Sequence, residues 1–385
     1  MPLNKEYDYI IAGGGCAGLS LVMRMLKDPN ISSKRILIID RDDKKKNDRT
    51  WCYWEKGSGF FDDIIYRKWD KAWFHGEGYS SLKELGPYAY KMIRGIDFYR
   101  YCHAGIAASP NIELFHGEIT RIDNTSEGVE VEAGEDIFRA NYLFNSILLN
   151  KPPLKKDQYY LLQHFKGWII ETKIPVFKTE EATLMDFRVS QEEGTTFVYV
   201  MPLSPTRALV EYTLFTEQML TQDQYDCGLK HYIGSFLQTN EYEVIEEEVG
   251  VIPMTDIVFP EVEGNIIHLG TAGGQTKPSS GYTFRFIQKK VDLIISRLAA
   301  GLHPHQPEAM INKRFKWFDQ VLLHMLARKK MSGKRIFSLL FSRNKISTIF
   351  AFLDNESSIN QELRLLNTLP QLPFMRAGWF ELFKK

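Results

Sequence analysis

The sequence predicts an α/β protein in which a Rossmann-like dinucleotide-binding domain carries an inserted β-meander and is joined to a domain built on an antiparallel sheet. Three observations carry this prediction. The apolar run Tyr7 to Ala12 ends in Gly13-Gly-Gly-Cys-Ala-Gly18. A second apolar run, Arg35 to Ile39, ends in Asp40, 22 residues after Gly18. Much later, a strand-like stretch leads into another glycine-rich turn, Thr271 to Tyr282, that opens a helix. Strand, glycine turn, helix, strand and terminal acid in that order form a dinucleotide-binding pattern.

Each residue of the pattern has a physical task. Gly13 permits the tight turn, Gly15 lets the backbone approach a pyrophosphate, and Gly18 lets the helix Leu19 to Leu26 pack on the first strand. The helix N-terminus offers unpaired N–H groups to phosphate, and Asp40 accepts from a ribose hydroxyl. At the second turn, Gly270, Gly273, Gly274 and Gly281 connect the strand Asn265 to Gly270 with a helix from Thr283 to Leu298. A helix N-terminus aimed at a ring system stabilises negative charge on it, which suits a reduced flavin.

Composition sets the outer limits. With 385 residues, 44% hydrophobic and 13% aromatic, the chain can fill large cores in two or three domains. Lys+Arg and Asp+Glu are both 48, so no whole-molecule field favours nucleic acid. The four cysteines, Cys16, Cys52, Cys102 and Cys227, lack metal-ligand spacing, so no metal and a reducing, cytoplasmic setting are expected. The first strand begins by residue 7, leaving no room for a signal peptide, and no run of 18 apolar residues is present.

Between the two turns the chain reads in order as follows. Arg41 to Arg49 is a charged loop followed by Thr50-Trp-Cys-Tyr-Trp54; the loop reads most simply as solvated, and Arg49-Thr-Trp51, just past the second strand, is also placed to lie over a bound cofactor. Residues 60–110 mix aromatics with a helix, Ile96 to Ala107. Asn111 to His116 is a strand, and residues 119–123, 129–132 and 137–140 alternate as a three-stranded meander before Tyr142 to Asn145. Such an insertion is typical of two-dinucleotide-binding flavoprotein folds. Lys151-Pro-Pro-Leu-Lys-Lys156 is a crossing between domains. Lys166 to Thr172, Ala182 to Val189, Thr196 to Met201 and Arg207 to Phe215 are strands of an antiparallel substrate-domain sheet, with helix across 217–238 and an acidic, exposed segment from Glu241 to Val249. The expected division is 1–150 and 256–300 for the cofactor domain, 151–255 for the substrate domain and 301–385 for a helical region.

Residues 311–345 hold ten Lys or Arg and one acid, Asp319, interleaved with aromatic and aliphatic residues. Basic helices of this kind can lie in an anionic membrane interface, and equally can pack their apolar side on the domain. Glu211 is the only charge in Ala208 to Phe215. Buried without a cation it would stay protonated and serve as a general acid; on a half-exposed strand it would simply point outward.

Taken together, Asp48-Arg-Thr-Trp, Met185-Asp-Phe-Arg, Phe197-Val-Tyr-Val-Met-Pro-Leu-Ser-Pro-Thr-Arg-Ala-Leu-Val-Glu-Tyr-Thr213, Gly250-Val-Ile-Pro-Met and Gly270-Thr-Ala-Gly-Gly-Gln-Thr-Lys-Pro-Ser-Ser-Gly-Tyr282 resemble the bacterial flavin-dependent lycopene β-cyclases over nearly the whole chain. The resemblance implies non-covalent FAD, active when reduced, with NADPH as reductant. It also implies lycopene and γ-carotene as substrates, β-carotene as product, no net redox change, and a peripheral contact with the inner face of the membrane. The essential Glu of that family matches Glu211. Tyr212 stands where members often carry a second acid, and it should point to the opposite face of the strand. Flavin hydroxylases usually follow the late glycine with Asp, whereas Thr271 follows Gly270 here, which counts against a monooxygenase. The glycine turns are equally compatible with a prenyl or carotenoid reductase, and with a carotenoid-binding protein whose flavin site is vestigial.

Overall fold

The computed structural model describes residues 5–149, 152–307 and 310–384; the predicted crossing at 151–156 begins outside them. In chain order the first half comprises β1 (Lys5–Ala12), α1 (Cys16–Lys27), β2 (Ile36–Asp40), β3 (Thr50–Lys56), β4 (Arg67–Trp69), β5 (Lys71–Gly76), β6 (Tyr79–Glu84), β7 (Tyr88–Arg94), α2 (Gly95–Ala107), β8 (Ile112–His116), β9 (Ile119–Thr125), β10 (Gly128–Ala133) and β11 (Asp136–Asn145). The second half comprises β12 (Tyr160–Thr172), β13 (Glu181–Asp186), β14 (Thr195–Pro202), β15 (Arg207–Thr216), α3 (Gln222–Phe236), β16 (Tyr242–Thr255), β17 (Val262–Glu263), β18 (Ile266–His268) and α4 (Phe284–Ala299). Five helices close the chain: α5 (Met310–Ala327), α6 (Gly333–Arg343), α7 (Ile346–Leu353), α8 (Ile359–Leu366) and α9 (Gln371–Phe383).

β8, β2, β1, β11 and β18 lie side by side, all parallel. Parallel strands need cover on both faces, and their near-continuous apolar sequences reflect that. One face packs Ile11, Ile36 and Ile38 against Leu19, Val22, Val291 and Ile294 of α1 and α4. The other packs Ile10, Leu37 and Ile39 against Val129, Val131 and Phe138 of the predicted meander. β11 is one continuous strand that serves both the meander and the parallel sheet.

The second sheet runs β16-β12-β15-β14-β13-β5-β6. Its strands alternate as antiparallel strands should: Trp168, Val198, Val210, Tyr212 and Leu214 face α3, while Leu161, Phe197, Leu209 and Phe215 face the C-terminal helices. Glu241 to Val249 proves to be largely exposed, as expected, yet it is the start of the edge strand β16. β3, β7 and β4 form a small third sheet, and β5 and β6 extend the second one, none of which the aromatic mixture at 60–94 disclosed. The reason is local: β7 is buried on both faces up to its last residue, so it shows no period-two alternation.

Candidate active site

At the first glycine turn, Gly13 has φ +98 and a Cβ on Gly18 would come 2.1 Å from the Gly13 carbonyl oxygen, so neither position tolerates a side chain. Gly15 differs. It is the N-cap of α1, makes no side-chain capping bond, is followed by no acid in the first turn, and a Cβ there would meet nothing within 4 Å. The open space in front of unpaired N–H groups fits a pyrophosphate. Asp40 braces the turn, its Oδ2 accepting the Gly14 N–H at 2.6 Å and its Oδ1 the Asp42 N–H at 2.7 Å. Each oxygen keeps a second lone pair for a ribose hydroxyl.

The second turn is equally constrained. Gly270, Gly274 and Gly281 have φ of +60, +73 and +69, and a Cβ on Gly273 would lie 2.2 Å from the His268 carbonyl oxygen. Thr271 Oγ1 lies 3.1 Å from Thr276 Oγ1, which in turn accepts from Thr283 at 3.1 Å, so hydroxyls occupy the position of the hydroxylases' Asp. Buried polar atoms here lack partners: Gln163 Oε1, Gln275 Oε1 and Ser280 Oγ. A Cβ on Gly281 would be 2.3 Å from Gln163 Oε1, which puts that acceptor directly against the turn. Unsatisfied buried groups are costly, and a flavin ring with its own N–H and carbonyls is the kind of group that would satisfy them. The residues therefore fit FAD. A cavity of about 430 Å³ opens beside Gly273 to Thr276, and Glu211 lies outside it.

The chemistry-bearing feature is a row across the second sheet. Gly167 on β12 pairs with Glu211 on β15 on one side and with Glu248 on β16 on the other, and Glu211 pairs in turn with Tyr199 on β14. Residues directly opposite one another share a face, so the two carboxyls stand on either side of a residue with no side chain. A Cβ on Gly167 would be 3.1 Å from Glu248 Cγ and 3.0 Å from Leu209 Cδ1. Over this gap Glu211 and Glu248 lie close enough for each to influence the other's titration. Thr213 Oγ1 donates to Glu211 Oε1 at 2.8 Å and Thr50 Oγ1 to Glu248 Oε2 at 2.8 Å.

Both carboxyls are deeply enclosed yet keep some accessible surface. Among the described residues no Lys, Arg or His forms an ion pair with either; Lys166, next to Gly167, points to the other face and pairs with Asp226 at 2.5 Å and Glu247 at 3.1 Å. Desolvation and then the charge of Glu248 push Glu211 far above the usual carboxylate range, and desolvation raises Glu248 as well. Two close carboxyls in a poorly solvated site hold one proton between them at neutral pH.

Opposite this row stands β3. Thr50, Cys52 and Trp54 share its inward face, and Tyr90 pairs with Trp54 across β7. Tyr282, next to Gly281, lies 3.3 Å from the Tyr199 hydroxyl and edge-on to Trp54 at 4.3 Å, while Trp54 stacks on Phe350 of α7 at 4.4 Å. Burial keeps Tyr90, Tyr199, Tyr282 and Cys52 neutral. The carboxyl pair is thus walled by aromatic faces and neutral hydroxyls.

Sequence reasoning singled out Glu211 and both glycine turns, and Tyr212 does point away, under α3. It left open the role of Arg49-Thr-Trp, where Thr50 proves to hold Glu248, and it missed Glu248 and Gly167. Asp319 emerges as the anchor of the second turn, bound by Lys277 Nζ at 2.8 Å and Ser279 Oγ at 2.5 Å.

The family described as lycopene cyclase protein matches residues 8–378. A lycopene beta-cyclase of Paracoccus sp. (strain N81106 / MBIC 01143) is 25% identical over 230 residues, which span 56% of this chain and 58% of that one. The lycopene beta-cyclase of Pseudescherichia vulneris is 21% identical over 96% of both chains. Among solved structures, a flavoprotein/dehydrogenase from Cytophaga hutchinsonii superposes with TM-score 0.62 at 12% identity, covering 99% of this chain and all of that one. A geranylgeranyl bacteriochlorophyll reductase-like protein from Thermoplasma acidophilum gives 0.58 at 10% identity, covering 97% and 96%. These likenesses confirm the Rossmann-like flavoprotein fold. With the match running from the first strand to the last helix, the chain belongs to the lycopene cyclase protein family.

Proposed function

We propose that the protein is an FAD-bound lycopene β-cyclase that closes the linear ψ-ends of lycopene into β-ionone rings, by way of γ-carotene, without net oxidation or reduction. The observation that carries this reading is the meeting of Glu211 and Glu248 over Gly167, among aromatic side chains that include Tyr282 beside the second glycine turn. Gly13 to Gly15 with the α1 N-terminus would hold the pyrophosphate and Asp40 the ribose; the turn from Gly270 to Gly281 with Gln163, Gln275 and Ser280 would hold the flavin end. Reduced FAD held there, with NADPH as its reductant, would supply negative charge to the site.

The protein's own groups account for the proton. Glu211 gives its proton to the terminal double bond; the neighbouring double bond attacks the tertiary cation, forming the ring carbon–carbon bond and moving the positive charge into the ring. Loss of one ring proton then forms the ring double bond. One proton enters and one leaves, so the reaction is an isomerisation. Glu248 raises the proton affinity of Glu211 before transfer, and the pair, then one proton short, is the base that recovers the ring proton. The faces of Tyr199, Tyr282 and Trp54 stabilise the cation without supplying a nucleophile.

A substrate of this class dissolves in lipid, so peripheral membrane contact belongs to the proposal; no helix among the described residues is long and apolar enough to cross a membrane. Expression in a lycopene-accumulating bacterium tests the reading. Pigment chromatography should show lycopene replaced by γ- and β-carotene, and unchanged lycopene beside folded, flavin-loaded protein overturns it.

A further inference from the structure

The apolar residues expected to meet a membrane from 311–345 face inward: Phe315, Val321, Leu323, Met325, Phe337 and Phe341 are buried. The exposed apolar surface lies further on. The inner side of α9 is fixed to the body, where Trp317 Nε1 donates to the Gly378 carbonyl at 3.2 Å and a Cβ on Gly378 would come 2.7 Å from that indole. Glu381, also buried, accepts from Tyr159 at 2.7 Å and lies 2.9 Å from His324 Nδ1. Its outer side is apolar too. Leu372, Met375, Trp379, Leu382 and Phe383 are 60–68% exposed and, at spacings of three and four, form one stripe. On α8, Ile359 and Leu363 are exposed one turn apart.

Charge distinguishes the possible occupants. Residues 310–384 hold thirteen Lys or Arg and five acids. Asp319, Asp354, Glu362 and Glu381 are buried, which leaves Glu356 as the one exposed acid of this region, and it pairs with Lys289. Basic groups border the apolar stripe: Arg376 on α9, Arg364 on α8, Arg343 bonded to the Thr368 carbonyl, and Arg328 over the Phe380 ring at 4.5 Å and paired with Asp157. Two copies joined through this face would bring basic rims together, whereas an anionic bilayer offers both an apolar interior and matching charge. Behind the face, an apolar crevice of about 60 Å³ is walled by Leu366 and Phe374 on one side and by Ser279 of the cofactor turn on the other.

We propose that the outer face of α8 and α9 seats in the headgroup–acyl boundary of an anionic lipid bilayer, with the crevice leading from it toward the second glycine turn. The purpose of this docking, uptake of a lipid-borne chain, rests on the proposed function; its test does not. The full chain is floated with carotenoid-free vesicles of phosphatidylcholine, with and without phosphatidylglycerol. The parent should bind the anionic vesicles and release with salt. The Leu372→Ser/Trp379→Ser/Leu382→Ser/Phe383→Ser variant should bind about tenfold less or worse, and Arg364→Gln/Arg376→Gln should lose most of the preference for anionic lipid. A quadruple variant of parental melting temperature that floats as well as the parent overturns the proposal. So does a parent that elutes as a dimer while that variant elutes as a monomer. Turnover in detergent-solubilised lycopene should survive in both variants; its absence in every form, beside the expected flotation pattern, would refute the cyclase reading and leave the docking face standing.

Discussion

Glu211 and Glu248 come together because Gly167 lies between them, and this sets what each substitution should do. Glu211→Gln keeps the shape and removes the transferable proton, so turnover should fall by about 10² to 10⁴ with flavin still bound; Glu118→Gln, on an exposed carboxyl paired with Arg41, should leave it unchanged. For the pair, the acid must be protonated to act, so the rate should fall as pH rises through its raised pKa. Glu248→Gln removes a neighbouring negative charge, and the alkaline limb of the pH–rate profile should move to lower pH while FAD content stays the same. Stability follows the same sign: because folding raises both pKa values, stability present below the unfolded carboxylate pKa is lost as pH rises through the folded ones. A Glu211→Gln/Glu248→Gln protein should therefore melt above the parent at alkaline pH. An unmoved limb in Glu248→Gln would show that Glu211 acts without its neighbour. Glu248 was illegible in sequence because it is the third of three consecutive glutamates, and only the phase of β16 turns Glu247 toward Lys166 and Glu248 toward Thr50.

Among the elements, the strand–turn–helix unit of β1 and α1 separates binding from folding in adjacent glycines. Gly15→Val should fold with a melting temperature near that of the parent and carry no FAD, since its side chain projects into open space where the proposed pyrophosphate would lie. Gly18→Ala drives a methyl into the Gly13 carbonyl and should cost about 1–3 kcal/mol in stability whether or not FAD is present. Equal destabilisation of the two variants, read by thermal melting of the flavin-free proteins, would contradict this division. β3 shows how an element serves two cores through alternation alone. Trp51 and Tyr53 pack toward Phe98 of α2 and Phe284 of α4, while Thr50, Cys52 and Trp54 lie on the opposite face of the strand. The strand was visible only as an aromatic-rich stretch, since both of its faces are occupied and no polar side marks the period.

At the scale of the whole molecule, the flavoprotein fold is shared with reductases and monooxygenases, so the balance of electrons separates the possibilities. Product formation under anaerobic conditions should continue with prereduced FAD and no stoichiometric consumption of NADPH; one NADPH oxidised per product would instead indicate a reductase or monooxygenase. The parts of this architecture that were legible in sequence are those in which local backbone chemistry leaves no choice. The two glycine turns require positive φ or close backbone approach, and the parallel strands need apolar residues on both faces; Glu211 by itself left two readings open, and only the family resemblance singled it out. Family resemblance was carried by more specific stretches, above all Pro202-Leu-Ser-Pro-Thr206 with the Glu that follows it and Pro278-Ser-Ser-Gly-Tyr282. Tertiary structure alone decided which carboxyl joins Glu211, that Thr50 supports it, that Asp319 anchors the second turn, and that the basic stretch turns its apolar side inward while α9 leaves its own uncovered. Those facts depend on strand phase, on pairings between distant segments and on which helix face finds a partner, and a linear pattern does not specify any of the three.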